Sequence, residues 1–121
     1  MTVVYQYPPC STCKKALKWL DAHNIDVEVR HIVDEAPDAA TIKNAIERSG
    51  LPLRRFFNTS GQAYREGNYK EQVPHMSNPE AAEILSQNGM LIKRPLVVDK
   101  NFVLVGFKED EWAEAFQVKD T

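Results

Sequence analysis

Cys10 and Cys13, the two cysteines of the chain, stand two residues apart in "YPPCSTCKKA", between Pro8-Pro9 and Lys14-Lys15. The reactive form in thiol chemistry is the thiolate, and a free cysteine with a pKa of about 8.5 is only slightly ionised at neutral pH. A cysteine at the start of a helix has unpaired backbone N–H groups and the positive end of the helix dipole beside it, and both favour an anion. Cys10 falls at such a start. Ser11 and Thr12 can add hydroxyl donors, and Lys14 and Lys15 add positive charge within one turn. Together these lower a C-x-x-C thiol by about one to several pH units. Cys13 follows one turn further along the same face, within reach of a disulfide. The implied division of labour is that Cys10 attacks and Cys13 resolves the mixed disulfide.

Three other uses of the pair are open. A zinc site needs about four ligands, and the remaining candidates, His23, His31 and His75, are scattered without metal spacing. Two inert core thiols would suit Cys13, which begins an apolar stripe, better than Cys10, which follows two prolines. A disulfide that senses redox state without catalysing anything has the same spacing as one that turns over.

The elements that must position these residues can be read around them. "TVVYQY" is β-branched and aromatic and ends at Pro8-Pro9, which predicts a first strand. Ala16, Leu17 and Leu20 continue the helical spacing from Cys13, predicting a helix from about Ser11 to His23 that stops at Asn24. "DVEVRHI" alternates as a second strand, so the start of the chain is a βαβ unit with parallel strands. "APDAATIKNAIERSG" predicts a helix capped by Asp38, buried through Ile42, Ala45 and Ile46, and ended by Gly50. An apolar segment with Phe56 and Phe57 and the turn "NTSG" follow, then a mixed stretch, Tyr64 to Met76, that reads as a short helix and loops. "SNPEAAEILSQNG" is a helix capped by Ser77 or Asn78, with Pro79 in its first turn and Gly89 at its end. "PLVVD" and "FVLVG", separated by "KN", form a hairpin, and "KEDEWAEAF" a closing amphipathic helix with acidic residues in its first turn.

The predicted fold is therefore α/β: a small mixed sheet built from βαβ, a β-hairpin and a C-terminal helix, with helices on both faces. A C-x-x-C directly after the first strand is the arrangement of thioredoxin-like redox proteins. The segment from about 33 to 88 exceeds a minimal version of that fold and reads as a helical insertion within a single domain, residues 1–121. Pro95 stands at a strand entrance, where it need not donate to the ladder. In thioredoxin-like folds a proline in this place is usually cis and faces the cysteines, which would aim Arg94 at the same pocket, where a guanidinium can hold a thiolate or oxyanion. Surface placement at a strand edge is the competing reading of Arg94. Phe56 and Phe57 read as core in preference to a ligand site, and Arg54, Arg55 and Arg65 as solvated charges, with service of one of them to an anion or a partner as the alternative.

Composition narrows the function classes. The chain has 121 residues, 43% hydrophobic and 26% charged, the profile of one globular domain. A net charge of -2 gives no general attraction to nucleic acid. No apolar stretch approaches the roughly 18 residues of a membrane helix, and "MTVVYQYPP" lacks the basic start and apolar run of a signal peptide. The expectation is a cytoplasmic protein with no membrane and no direct nucleic-acid partner. In that reducing compartment a C-x-x-C points to redox or metal chemistry over a permanent staple.

With these segments placed, the chain resembles the arsenate reductase-like (ArsC/Spx) family of the thioredoxin-like superfamily. The likeness covers nearly the whole chain, through "YPPCSTCKKALKWL", "GLPLRRFFNTSGQAYRE", "LIKRPLVVD" and "VGFKEDEW". It implies a thioredoxin-like fold with a helical insertion and Cys10 as the nucleophile-equivalent cysteine. Arsenate reductases of this family carry one motif cysteine and three oxyanion-binding arginines. Arg94 matches one of these, whereas the other two positions fall at Asn58 and at about Phe107. The second cysteine, Cys13, matches the Spx-type regulators, in which the pair is a redox switch and the protein touches the alpha chain of RNA polymerase. "SGLPLRRFFNTSG" is closer to the uncharacterised reductase-like members, and the chain ends without a long basic tail. The resemblance thus implies a thiol-dependent reductase of disulfides or small oxidised substrates, with no bound cofactor. A low-molecular-weight thiol, thioredoxin or glutaredoxin would be the reductant. A sensor that binds RNA polymerase is the alternative, and arsenate reduction the weaker third reading.

Overall fold

Both faces of the first strand are apolar because both are covered. The computed structural model describes residues 2–118. Strand β1 (Val3–Gln6) leads to helix α1 (Ser11–Ala22) and strand β2 (Glu28–His31). Helix α2 (Ala39–Ser49), a 3-10 turn at Leu53–Phe56, short helices α3 (Gln62–Glu66) and α4 (Tyr69–Gln72), and a second 3-10 turn at Val73–His75 follow. Then come α5 (Asn78–Gln87), a third 3-10 turn at Gly89–Leu91, strands β3 (Leu96–Val98) and β4 (Val103–Val105), and helix α6 (Glu109–Ala115). The strands form one sheet in the order β2-β1-β3-β4, with β1 and β2 parallel and the other two pairs antiparallel. This is the βαβ unit joined to a hairpin that the sequence predicts.

Alternation along the strands divides the core in two. Val4, Val97 and Leu104 face α1 and α6 and pack with Ala16, Trp19, Leu20 and Trp112. Tyr5 and Leu96 point the other way, into a larger cluster with Ile42, Ile46, Phe56, Phe57 and Leu85 from the helical stretch between β2 and β3. Phe56 and Phe57 are core, as expected. The buried face of α1 is Cys13, Ala16, Trp19 and Leu20, with Leu17 half-buried beside it. Trp19 enters that face because aromatic rings from the end of the chain, Phe107, Trp112 and Phe116, surround it.

The helix ends follow local chemistry. Asp38 caps α2 by accepting from the Thr41 N–H at 2.8 Å, and Gly50 ends it at φ 69°. Ser77, rather than Asn78, caps α5 in a reciprocal box with Glu80, and Pro79 sits in the first turn. Gly89 differs from its expected role. The residue that closes α5 is Asn88, in an extended conformation, and Gly89 opens the next 3-10 turn. Its hydrogen is needed for close approach: a Cβ there would lie 2.0 Å from the Ile32 carbonyl oxygen. The mixed stretch after "NTSG" resolves into α3, α4 and a 3-10 turn, each too short for a periodicity to show.

Candidate active site

Cys10 is the N-cap residue of α1, in extended conformation at φ -75° and ψ 116°. The chain turns into the helix after Pro8-Pro9, with the Cys10 N–H donating to the Tyr7 carbonyl at 2.9 Å. This leaves the Cys10 side chain where a serine or aspartate cap would sit, and its Sγ accepts the Cys13 backbone N–H at 3.2 Å. Both cysteines are free thiols. Cys10 is partly exposed and Cys13 fully buried.

Their acidities diverge. Partial burial works against ionisation of Cys10, but hydrogen bonds from the Cys13 thiol and backbone N–H, and from Arg94 with its charge, outweigh it and hold the thiol below its ordinary 9.0. Burial pushes the Cys13 thiol up to about 12, helped by the hydrogen bond it shares with the Cys10 sulfur and by the negative charge there. Of the two sulfurs, Cys10 is thus the more readily ionised and Cys13 the one that holds its proton.

Arg94 lies on the Tyr7 side of the sheet, close enough to act on both cysteines. It precedes the cis peptide bond to Pro95 and lies beside the cysteine turn. Its guanidinium carbon is 4.8 Å from the centroid of the Tyr7 ring, a cation–π contact. Arg94 Nη1 is buried and has no hydrogen-bond partner among the described residues, a donor of the kind that folded proteins rarely leave unpaired. Pro95 is buried beneath it. The supporting residues divide. Ser11 and Thr12 occupy the first turn but are exposed, and Cys10 draws its hydrogen bonds from Cys13 and Arg94 and none from their hydroxyls. Lys14 and Lys15 are exposed too, and the charge acting on Cys10 is that of Arg94.

Tyr7 is the site residue that sequence reasoning missed, and His31 backs it. The His31 ring meets Tyr7 edge-on at 5.6 Å, and its Nδ1 accepts the Val33 and Asp34 N–H groups, each at 3.1 Å. His31 is therefore engaged by its own turn. Among the described residues no group of three His, Cys, Asp or Glu could hold a metal ion.

The two positions where the resemblance implies further arginines have other occupations. Asn58 is held in the turn before α3: its N–H donates to the Leu91 carbonyl at 2.7 Å and its carboxamide packs under Gly61. Phe107 packs edge-on against Trp112 and Trp19. Neither supplies a cation, and the arginine that acts on the cysteines is Arg94.

Residues 5–115 match the family model described as the ArsC family. The chain belongs to the ArsC family. Within it, this member is 51% identical over 110 residues to the uncharacterised Bacillus subtilis protein YusI, covering 91% of this chain and 93% of that one. It is 26% identical over 111 residues to the global transcriptional regulator Spx of Lactiplantibacillus plantarum, covering 92% of this chain and 83% of Spx. The crystal structure of an ArsC-family-related protein from Bacteroides fragilis superimposes with a TM-score of 0.89 at 50% identity, covering 93% of this chain and 95% of that one. The thioredoxin-like fold with helices between β2 and β3 is the ArsC-family architecture, as expected.

Proposed function

We propose that this ArsC-family protein is a thiol–disulfide reductase or relay, with Cys10 as nucleophile, Cys13 as resolving thiol and Arg94 as the anion-holding cation. The observation that carries this reading is the split between the cysteines: a partly exposed Cys10 capping α1 and favoured as thiolate, over a buried Cys13 that keeps its proton.

The chemistry follows from that split. The Cys10 thiolate attacks one sulfur of a substrate disulfide, forming a Cys10–substrate disulfide and releasing the other sulfur as a thiolate that takes up a proton. Arg94 Nη1 and the first N–H groups of α1 steady negative charge as the sulfur–sulfur bond exchanges. Once Cys10 is in the mixed disulfide its negative charge is gone, so two of the causes that hold the Cys13 proton disappear and burial alone remains. Cys13 then gives its proton to solvent and attacks the Cys10 sulfur, and the bond from that sulfur to the substrate breaks, releasing the second substrate thiolate, which takes up a proton in turn. The substrate gains two electrons and the protein is left as a Cys10–Cys13 disulfide. A low-molecular-weight thiol, thioredoxin or glutaredoxin returns the two electrons, and a reducing cytoplasm is the setting for that cycle. No bound cofactor enters.

A Cys13→Ser variant tests the reading, because it should accumulate mixed disulfides through Cys10. Alkylation of Cys10 at pH 6 no faster than that of a free thiol would sink it.

The likeness to Spx supports a second reading, a redox sensor that binds the alpha chain of RNA polymerase. It requires a complex whose affinity changes when Cys10 and Cys13 are oxidised. A pull-down with an isolated domain of the polymerase alpha chain that shows no binding in either redox state would remove it. Arsenate reduction has the least support, since Arg94 stands without the other two arginines. It would need turnover that disappears in both Arg94→Ala and Cys10→Ser.

A further inference from the structure

The protein carries a net charge of -2, yet an open groove of about 970 Å³ in the stretch between β2 and β3 is lined by four cations and no carboxylate. The cations are Arg54 and Arg55 of the first 3-10 turn, Lys70 of α4, and Lys93 just before Arg94. Several basic side chains elsewhere are matched: Arg30, Lys43 and Lys108 pair with Glu28, Glu47 and Glu111, and Arg48 and Arg65 donate to main-chain carbonyls; Lys14, Lys15, Lys18 and Lys100 are exposed and lie outside the groove. Among the described residues none of the four groove cations has an ion pair or side-chain hydrogen bond of that kind. Four unpaired positive charges on an acidic molecule are thus gathered in one groove. Between the cations the groove is apolar, formed by Pro52, Leu53, Pro74 and Met76 with the edges of Phe57 and Tyr64.

The groove is connected to the cysteine site through the main chain. Lys93 and Arg94 are consecutive, so their Cα atoms are about 3.8 Å apart. The Lys93 N–H donates to the Phe56 carbonyl at 2.9 Å, tying the Arg94 strand entrance to the turn that carries Arg54 and Arg55.

We propose that this groove docks an acidic peptide segment bearing an apolar side chain, belonging to the protein whose disulfide is exchanged at Cys10. That identity of the partner rests on the thiol–disulfide reading above; the docking itself does not. Charge complementarity selects an acidic partner and speeds its encounter. An extended segment can bury an apolar side chain on the proline, leucine and methionine surface while its carboxylates reach cations supplied by three separate segments. A small phosphate would engage the cations and leave the apolar floor wet.

Fluorescence anisotropy tests the assignment with a fluorescein-labelled peptide of Glu and Asp flanking a central Leu-Phe pair, titrated with the reduced full-length protein. Saturable binding is expected, weakened by about tenfold in Arg54→Glu and again in Lys70→Glu, both exposed positions that the fold tolerates. Lys18→Glu makes the same change in net charge on α1, across the sheet from the groove, and should leave binding within about twofold of the parent. Replacing Leu-Phe by Ser-Ser in the peptide should weaken binding by about tenfold as well. Absence of saturation, an equal loss in Lys18→Glu, or equal binding of the Ser-Ser peptide would overturn the proposal. Saturation by tripolyphosphate without saturation by the peptide would do the same. Because anisotropy reads no thiol chemistry, a failed groove leaves the Cys10 alkylation result standing, and failed alkylation leaves the docking result standing.

Discussion

Arg94 stacks on the ring of Tyr7, 4.8 Å from its centroid, across the antiparallel seam between β1 and β3. The register makes the two residues partners: Val3 pairs with Val98, Val4 with Val97 and Tyr5 with Leu96, so the next outward positions bring residue 7 opposite residue 94. The same seam puts the end of β1, where the chain turns toward Cys10, beside the strand entrance at Pro95. Sheet pairing thereby places a cation beside Cys10, and its guanidinium, with the buried, unpartnered Nη1, lies over the aromatic face.

Loss of the stack should therefore reach Cys10. Tyr7→Leu removes a contact worth about 0.5–1 kcal/mol, which corresponds to a roughly twofold to fivefold slower alkylation of Cys10 near neutral pH. Tyr7→Phe keeps the ring face and should react within about twofold of the parent. Arg94→Ala removes both the hydrogen bond and the charge that lower the Cys10 pKa, so the pH–rate profile should move to higher pH and the rate at pH 7 fall by about tenfold. An alkylation profile of Arg94→Ala superimposable on that of the parent would show that Arg94 does not act on Cys10.

Cys13 makes stability depend on pH in the alkaline range. Its thiol has an ordinary value of 9.0 and is pushed up to about 12 in the fold. Below pH 9 both folded and unfolded chains keep the proton, and its contribution is fully present. Between these values the unfolded chain loses the proton first, so stability falls as pH rises, with a slope approaching about 1.4 kcal/mol per pH unit. Denaturant unfolding of reduced parent and Cys13→Ala from pH 8 to 11 isolates the effect: the parent should decline more steeply. Parallel curves would refute it.

Gly89→Ala should be costly although alanine is small. The added Cβ would stand 2.0 Å from the Ile32 carbonyl oxygen and 2.9 Å from the Val33 Cα, both main chain, so neither can rotate away. The end of α5 or the end of β2 must shift, at a cost of about 3 kcal/mol. Gly50→Ala meets no atom within 4 Å but must adopt φ 69°, a milder cost of about 1 kcal/mol. A urea series on both variants should order them that way, and the reverse order would contradict the assigned role of Gly89.

What the sequence shows of this site is what local pattern can show. Cys10 and Cys13 announce themselves by spacing, and α1 by its stripe, because three-residue intervals on one helix are set by the chain itself. Arg94-Pro95 stands out only through the likeness to thioredoxin-like folds, because a proline at a strand entrance is by itself an ordinary placement. Tyr7 stays hidden because its partner lies 87 positions away, and only the register of β1 against β3 joins them. Had the hairpin been aligned against "TVVYQY" residue by residue, Tyr7 opposite Arg94 was the available signal. Lys14 and Lys15 mislead for the opposite reason: near in sequence, they point to solvent. Gly89 looks like a helix stop because close packing against Ile32 leaves no trace in local pattern.

A last prediction concerns a path from the distant core to the site. Trp112 is buried, and its Nε1–H donates to the Gly106 carbonyl at 3.0 Å. The Gly106 N–H in turn donates to the Pro95 carbonyl at 2.9 Å, so one glycine links α6 to the residue after Arg94. Trp112→Phe leaves the Gly106 carbonyl buried without that donor and opens space among Trp19, Phe107 and Phe116. The two effects together should cost about 2–4 kcal/mol. If the link also holds Arg94 over Tyr7, the folded variant should alkylate at Cys10 about twofold to fivefold more slowly. Leu104→Ala, which opens the same core without touching the Gly106 bond, should lose comparable stability and keep the parent rate. Equal slowing in both variants would mean that Cys10 responds to general loosening of the core, and that the Gly106 bridge has no separate part in placing Arg94.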